Sequence, residues 1–385
     1  MIHYVATETG SFSIRIYLAE DGRALAERMR VVTYEELPRL DTLPAGVWVF
    51  TEFDQLDAPL RDVALLAADR LRAASGARIV NDPHDVRWRV DLLRAAHMAG
   101  LNEFQAWPAT QVSFTSNGTV AADAVSAAVL RYPVFVRFAD RHIGSLTPLI
   151  DSPRGLEKEI AGLMGNGARR DELLVVEFCD TRDAEGIVRK YSAYLIGDRV
   201  VPRYLECSRD WMVKWDARIF DRVRADEETR YLGANPHDAW IREIFRLARI
   251  EYGRVDYGVR DGRPQLWEIN TNSTIGRGPG PVVPQRPDIV AYKQMVAPAF
   301  AAFYASFGAA WDALDDGGNG TPAAELRLPP ALLRAVEDAD RRQRRARRLD
   351  SMLALVARQP WVRPVTRTIK RGLALASAIR LRRGA

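Results

Sequence analysis

The chain has 385 residues, 47% of them hydrophobic and 27% charged. That is enough for two or three domains with a real core, and it excludes wholesale disorder and a fibrous repeat. No apolar run reaches the ~18 residues that a bilayer span needs. The start, Met1-Ile2-His3-Tyr4, has no secretory character, and two cysteines (Cys179, Cys207) make no disulfide framework, so the expected home is a reducing cytoplasm. The net charge of +5 conceals an asymmetry: residues 323–385 carry 16 Lys/Arg against 5 Asp/Glu (+11), leaving 39 against 45 (−6) for residues 1–322.

Residues 1–82 alternate strand-like runs, Val47-Trp48-Val49-Phe50 and Ala77-Arg78-Ile79-Val80, with a helical stretch near 58–74. This is the pattern of a small α/β unit. Asn81-Asp82-Pro83 signals the start of a helix near 84–99, which Gly100 closes. A strand over 133–138 runs into the polar loop Ala139-Asp140-Arg141-His142-Ile143-Gly144-Ser145. A helix near 153–164 and a buried strand, Leu173-Leu174-Val175-Val176-Glu177-Phe178, follow. A strand pair then spans Lys190 to Val201 across Gly197-Asp198, and a helix covers 236–251. Gly317-Gly318-Asn319-Gly320 reads as a linker, and the remainder as a basic helical tail.

The strands at 253–260 and 264–272 carry the most information. Centred on Gly262, the hairpin sets Asp256 opposite Glu268 and Arg254 opposite Asn270, all on one face with Asn272, while Val255, Trp267 and Ile269 pack behind. Opposed carboxylates ~5 Å apart repel, so something compensates them. One answer is Arg254 on a solvated face. The other is a divalent cation, since carboxylates and an amide carbonyl are hard oxygen ligands suited to Mg²⁺ with phosphate. Lysine supplies only five of the basic residues (Lys158, Lys190, Lys214, Lys293, Lys370) against 50 arginines. Each lysine is therefore a candidate for a role that needs a compact ammonium.

Gly253-Arg254-Val255-Asp256 followed by Glu268-Ile269-Asn270-Thr271-Asn272 resembles the metal-binding end of the ATP-grasp superfamily, as in D-alanine–D-alanine ligase, glutathione synthetase and the ribosomal-protein glutamate ligases. The resemblance spans roughly residues 80–300. It implies an α/β (α+β) ATP-grasp fold: an N-terminal α/β subdomain (1–82), a central ATP-binding lid (83–178) and a C-terminal catalytic subdomain (179–316), with the basic helical tail (323–385) appended. By resemblance Asp256, Glu268 and Asn270 bind Mg²⁺ (Mn²⁺ as an alternative), and Arg254 faces the acyl phosphate and tetrahedral intermediate. The loop with Arg141, Gly144 and Ser145 takes the phosphate-binding position, where His142 could also cover phosphate. Arg137 and Arg87 stand where similar enzymes usually have lysine. Glu177, Phe178 and Cys179 match the hinge that holds adenine and ribose, although an ordinary core strand reads the same way. Lys190 reaches an ATP phosphate or the reacting centre. Arg203, Lys214 and Asn272 are candidates for contacting substrate.

The activity implied is ATP-dependent carboxylate–amine (or thiol) ligation with ADP release. An ATP-grasp kinase acting on a hydroxyl is the alternative enzyme. A nucleotide-binding scaffold that uses its tail on RNA or membrane is the alternative class. Expected partners are small-molecule or peptide carboxylate and amine substrates, a polyanion or membrane surface for the tail, and a second copy in a homodimer. The tail's Arg341-Arg342-Gln343-Arg344-Arg345-Ala346-Arg347-Arg348 and its Val365/Ile369/Leu373 stripe equally suit a helix docked on its own body.

Overall fold

A computed structural model describes residues 1–115, 118–122, 127–141, 144–214, 217–275, 286–315 and 322–342. The chain forms two compact units. The first comprises Met1–Asp54, Ala64–Gln105 and Cys179–Leu326, and the second comprises Gln55–Val63, Ala106–Phe178 and the chain from Arg327. Residues 83–105, expected in the central subdomain, thus group with the first unit. Their backbone is tied to the carboxylate hairpin: Asn102 Oδ1 accepts the Leu266 N–H at 3.0 Å, and the Glu103 N–H donates to Gln265 Oε1 at 2.9 Å.

The first unit opens with a parallel sheet of β1 (Ile2–Ala6), β2 (Met29–Thr33), β4 (Gly46–Phe50) and β5 (Ala77–Val80), in the order β2-β1-β4-β5. The short β3 (Thr42–Pro44) precedes β4, and α1 (Phe12–Ala19) and α3 (Arg89–Met98) complete this part, with α2 (Ala58–Arg72) belonging to it from Ala64 on. Every residue of β1 and β4 is buried, as parallel strands covered on both faces require.

In the second unit, β10 (Val134–Phe138), β11 (Leu173–Glu177) and β6 (Ala106–Pro108) form an antiparallel sheet, and β7 (Val112–Thr115), β8 (Gly118–Ala122) and β9 (Ala127–Val129) form another. Helix α4 (Pro153–Gly165) is capped by Ser152, whose Oγ accepts the Gly155 N–H at 3.2 Å. Its Leu156, Ile160 and Leu163 enter the core built on Val134, Val136, Phe138 and Val175.

The first unit resumes with β12 (Val188–Ile196), β13 (Arg199–Ser208), β14 (Tyr252–Arg260) and β15 (Arg263–Asn270), an antiparallel sheet ordered β13-β12-β14-β15. Helices α5 (Arg222–Gly233), α6 (Asp238–Ala248) and α7 (Pro287–Leu314) accompany it. Phe303, Phe307 and Trp311 of α7 share one core with Tyr194 and Tyr252 of this sheet and with Ile2, Tyr4, Val47 and Val49 of the parallel sheet. The two sheets are therefore joined by apolar burial, the main favourable term in folding.

The basic tail does not begin as a helix at 323. Strand β16 (Pro322–Glu325) pairs antiparallel with β3, and buried Leu326 donates its N–H to Asp41 O at 2.9 Å. Helix follows over 330–342. Residues 323–342 hold 4 Lys/Arg and 4 Asp/Glu, so the whole +11 belongs to 343–385, with 12 against 1. That stretch, with the Val365/Ile369/Leu373 stripe, the glycine linker and His142, lies outside the described residues. Among the described residues no helix is long and apolar enough to cross a membrane.

Candidate active site

Asp261 and Gly262 adopt φ of 49° and 74°. Such a two-residue left-handed turn joins strands of natural twist, and Asp-Gly is among its preferred sequences. The pairs Arg254↔Asn270, Val255↔Ile269 and Asp256↔Glu268 hold as expected. Beyond Asp256 the register slips by one, so Tyr257 faces Leu266 and Trp267 is the extra residue of a bulge. Trp267 is half-buried, and it does not continue the backing row that simple alternation predicts. Bulges of this kind re-aim the flanking side chains.

Pairing across the sheet then collects one charged face. Lys190 faces Glu206, Ser192 faces both Tyr204 and Asp256, and Asp256 faces Glu268. The opposed carboxylates are compensated by two arginines. Arg254 grips Asp256 through Nε and Nη2 at 2.7 and 2.9 Å, and Ser192 Oγ donates to the same carboxylate at 2.6 Å. Arg89, at the start of α3 and only 5% exposed, donates from Nη2 to Glu268 Oε2 at 2.8 Å. Sequence reasoning missed Arg89; its one signal was a place two residues beyond Arg87.

Tyr204 is the second omission. Lys190 Nζ lies 5.1 Å and Arg254 Cζ 5.2 Å from its ring centroid, within cation–π range. Burial raises the phenol to about 12; Asp256 and Glu206 add to this, while Arg254 and Lys190 oppose it. It remains a hydroxyl donor at ordinary pH. Burial works against the Lys190 ammonium, but Tyr204, Asp256 and Glu206 outweigh it and hold the group above its usual value. Its Nζ is 2.6 Å from Glu206 Oε2.

Among the described residues no group of three or more His, Cys, Asp or Glu side chains is placed to hold a metal ion. A cation here would rest on Asp256, Glu268 and the Asn270 amide oxygen, which now accepts the Asn272 N–H at 2.8 Å. These hard donors fit Mg²⁺, with the ion taking over the neutralising part that the arginines now play.

The parallel sheet's strand order reverses between β1 and β4, where open α/β sheets leave a crevice at the strand ends. In this chain the exit of β15 is tied there. Thr271 Oγ1 accepts the Glu52 N–H at 3.0 Å. Asn272 accepts from Tyr4 OH at 2.9 Å and donates to Gly10 O at 3.1 Å, and the Ile275 N–H reaches Ser13 Oγ at 2.9 Å. Asn272, expected to contact substrate, is thus engaged in structural ties. A Cβ on Gly10 would fall 2.1 Å from Glu52 Oε2, so any side chain there would push the Glu52 carboxylate aside. Burial raises the Glu52 carboxyl, against bonds from Thr7 and Asn272.

Other expected residues sit as follows. Arg87 donates its N–H to Ala248 O and Nη1 to Leu247 O, at 2.9 and 3.0 Å. It caps the end of α6. Lys214 is exposed, whereas Arg203 is buried among aromatic rings. Cys179 is buried, and burial raises its thiol. In the second unit, Arg137 Nη2 donates to Arg141 O at 3.4 Å, and Arg141 lies 4.4 Å over the Phe138 ring. Gly144 has φ of 85°, and Ser145 Oγ donates to Thr147 O at 2.6 Å. Buried Glu177 accepts from Arg131 N, Nε and Nη2 at 2.9, 3.1 and 2.8 Å, and the Phe178 N–H donates to Pro133 O. Both hinge groups are therefore engaged within their own unit.

No protein-family model matches the chain, and no curated protein matches it either. Solved structures do. A D-alanine–D-alanine ligase from Bacillus anthracis complexed with ATP is 11% identical, with 80% of this chain and 99% of that one covered and a TM-score of 0.43. The macrocyclase MdnC from Microcystis aeruginosa, bound with precursor peptide MdnA, gives 11%, 81%, 100% and 0.43. A RimK-domain ATP-grasp protein from Sphaerobacter thermophilus gives 15%, 79%, 99% and 0.41.

Proposed function

We propose that the charged sheet face is the catalytic centre of an ATP- and Mg²⁺-dependent ligase, which joins a carboxylate to an amine or thiol through an acyl phosphate and releases ADP. One observation carries the reading: Asp256 and Glu268 stand in register on a hairpin, each neutralised by its own arginine, with a partly buried lysine on the neighbouring strand. Mg²⁺ held by Asp256, Glu268 and Asn270 would neutralise phosphate oxygens against the incoming carboxylate. Arg254, which now bonds Asp256 through Nε and Nη2, would be released by the ion to present its cation where the tetrahedral oxyanion develops. Lys190 offers a compact charge to phosphate. Tyr204, still protonated at working pH, donates a hydrogen bond to the same oxygens. Within the second unit, Arg137 and Arg141 beside Gly144 and Ser145 are the proposed nucleotide-phosphate contacts.

The test incubates the full chain with Mg–ATP and paired pools of carboxylic acids and amines, following ADP by chromatography and new products by mass. A product lighter by one water than its two parents, formed one-for-one with ADP and lost in a folded Glu268→Gln variant, is the expected result. A phosphorylated hydroxyl would make the enzyme a kinase. Release of AMP, or equal ATP affinity in EDTA, would overturn the reading.

A further inference from the structure

Arg203 is the extra residue of a second bulge: Ser192 pairs with Tyr204 and Ala193 with Pro202, so Arg203 has no partner on β12. The bulge delivers its guanidinium into an aromatic box, with Cζ 4.6 Å from the ring centroid of Phe303, 5.2 Å from Phe300, 5.7 Å from Tyr304 and 5.9 Å from Tyr204. Nη2 donates to Ile275 O at 3.1 Å. Among the described residues Nε and Nη1 are buried with no acceptor and the side chain makes no ion pair, and the residue is 9% exposed.

This contrasts with other cations on and around the sheet. Arg254 is answered by Asp256, Lys190 by Glu206, Arg89 by Glu268, and Arg218 by Glu206 and Glu228. A buried charge without a counter-ion is costly, and ring faces return only part of the lost hydration. An outside anion would complete such a group. Its position supports this: Arg203, Lys190 and Arg254 all approach the Tyr204 ring, and Ile275 follows Asn270 by five residues.

We propose that Arg203 is a carboxylate-recognition residue that binds an anionic group of the acid substrate other than the one activated. The inference rests on the ligase reading and narrows it, because the acid then carries two carboxylates, as a dicarboxylate or as an amino acid or peptide joined through its side chain. An anionic oxygen would supply an acceptor that Nε or Nη1 lacks.

The test titrates malonate, succinate and glutarate, with their uncharged diamides as controls, into the full-length protein with and without Mg²⁺ and a non-hydrolysable ATP analogue. Three proteins are compared: the parent, Arg203→Met and Arg203→Lys. At least one dicarboxylate should bind the parent at least tenfold more tightly than its diamide. Arg203→Met should erase that preference, and Arg203→Lys should weaken it while leaving nucleotide affinity unchanged. The thermal midpoint of unliganded Arg203→Met should equal or exceed that of the parent, because an unanswered buried charge has gone. A midpoint lower by several degrees would mean that the guanidinium is a structural tie to the rings, and would overturn the proposal. So would a parent that binds no dicarboxylate, or a Met variant that binds as the parent does. Failure of Mg–nucleotide binding in the parent would strike the ligase reading alone, since the titrations without nucleotide judge Arg203 separately.

Discussion

Replacing Arg89 by methionine removes the cation from Glu268 while keeping an unbranched chain of similar length at the start of α3. The pair is 2.8 Å apart, with Arg89 5% and Glu268 18% exposed. Breaking a fully buried pair on one side costs about 3–5 kcal/mol. Water that still reaches Glu268 lowers this to roughly 2–3 kcal/mol, a fall in thermal midpoint of about 4–8 °C by the usual scaling. The informative part is the response to Mg²⁺. In the parent the ion must displace Arg89; in the variant that ion pair is already gone, so the ion should bind more tightly and recover more stability. At a hundred times its dissociation constant, a ligand specific for the folded state adds about 2.7 kcal/mol, enough to offset the whole loss. Thermal unfolding of both proteins across a Mg²⁺ series, with Arg87→Met as control, measures this. Arg87→Met uncaps α6 and should lose stability with no gain in metal response. Identical Mg²⁺-dependent shifts for Arg89→Met and the parent would refute the idea that arginine and metal share these carboxylates.

Tyr204→Phe keeps the ring beside Lys190 and Arg254 and deletes only the hydroxyl, so nucleotide affinity should hold while ADP formation falls tenfold or more, about 1.4 kcal/mol in the barrier; an unchanged rate would make the ring a packing element only. His3 is stacked on Trp48 at 4.5 Å, and its pKa is lowered to about 4, chiefly by burial. The unfolded chain therefore binds the extra proton between pH 6.5 and 4, and stability should fall by about 2 kcal/mol from pH 7 to 5. Urea unfolding at the two pH values should show that fall in the parent and lack about that much of it in His3→Phe. Ending the chain after residue 342 removes 12 basic residues against one acid and should abolish salt-sensitive retention on heparin without changing the thermal midpoint. Ending it after 321 also removes β16 from β3 and should lower that midpoint.

What the sequence disclosed about the site divides by distance along the chain. The Asp261-Gly262 turn, the alternation of Arg254 and Asp256, and the facing Glu268 and Asn270 are local, and each follows from strand geometry. The slip at Trp267 is not local: Gly258 leaves room for its ring, 2.7 Å from where a Cβ would lie, with a Thr181 methyl at 2.9 Å. Scarcity singled out Lys190, which the sheet sets between Glu206 and the Tyr204 ring, but scarcity alone also singled out exposed Lys214. The opposed carboxylates demanded compensation, and Arg254 could be found because it is two residues from Asp256. Its counterpart Arg89 lies 179 residues from Glu268, so only the packing of α3 against the hairpin brings it there. Arg87 was expected nearby and went to the α6 carbonyls instead, because a guanidinium at a helix end finds acceptors that no side chain needs to supply. Charge balance is a property of the folded neighbourhood: a sequence can show that a carboxylate pair must be answered, while the identity of the answering cation is fixed only when distant segments pack.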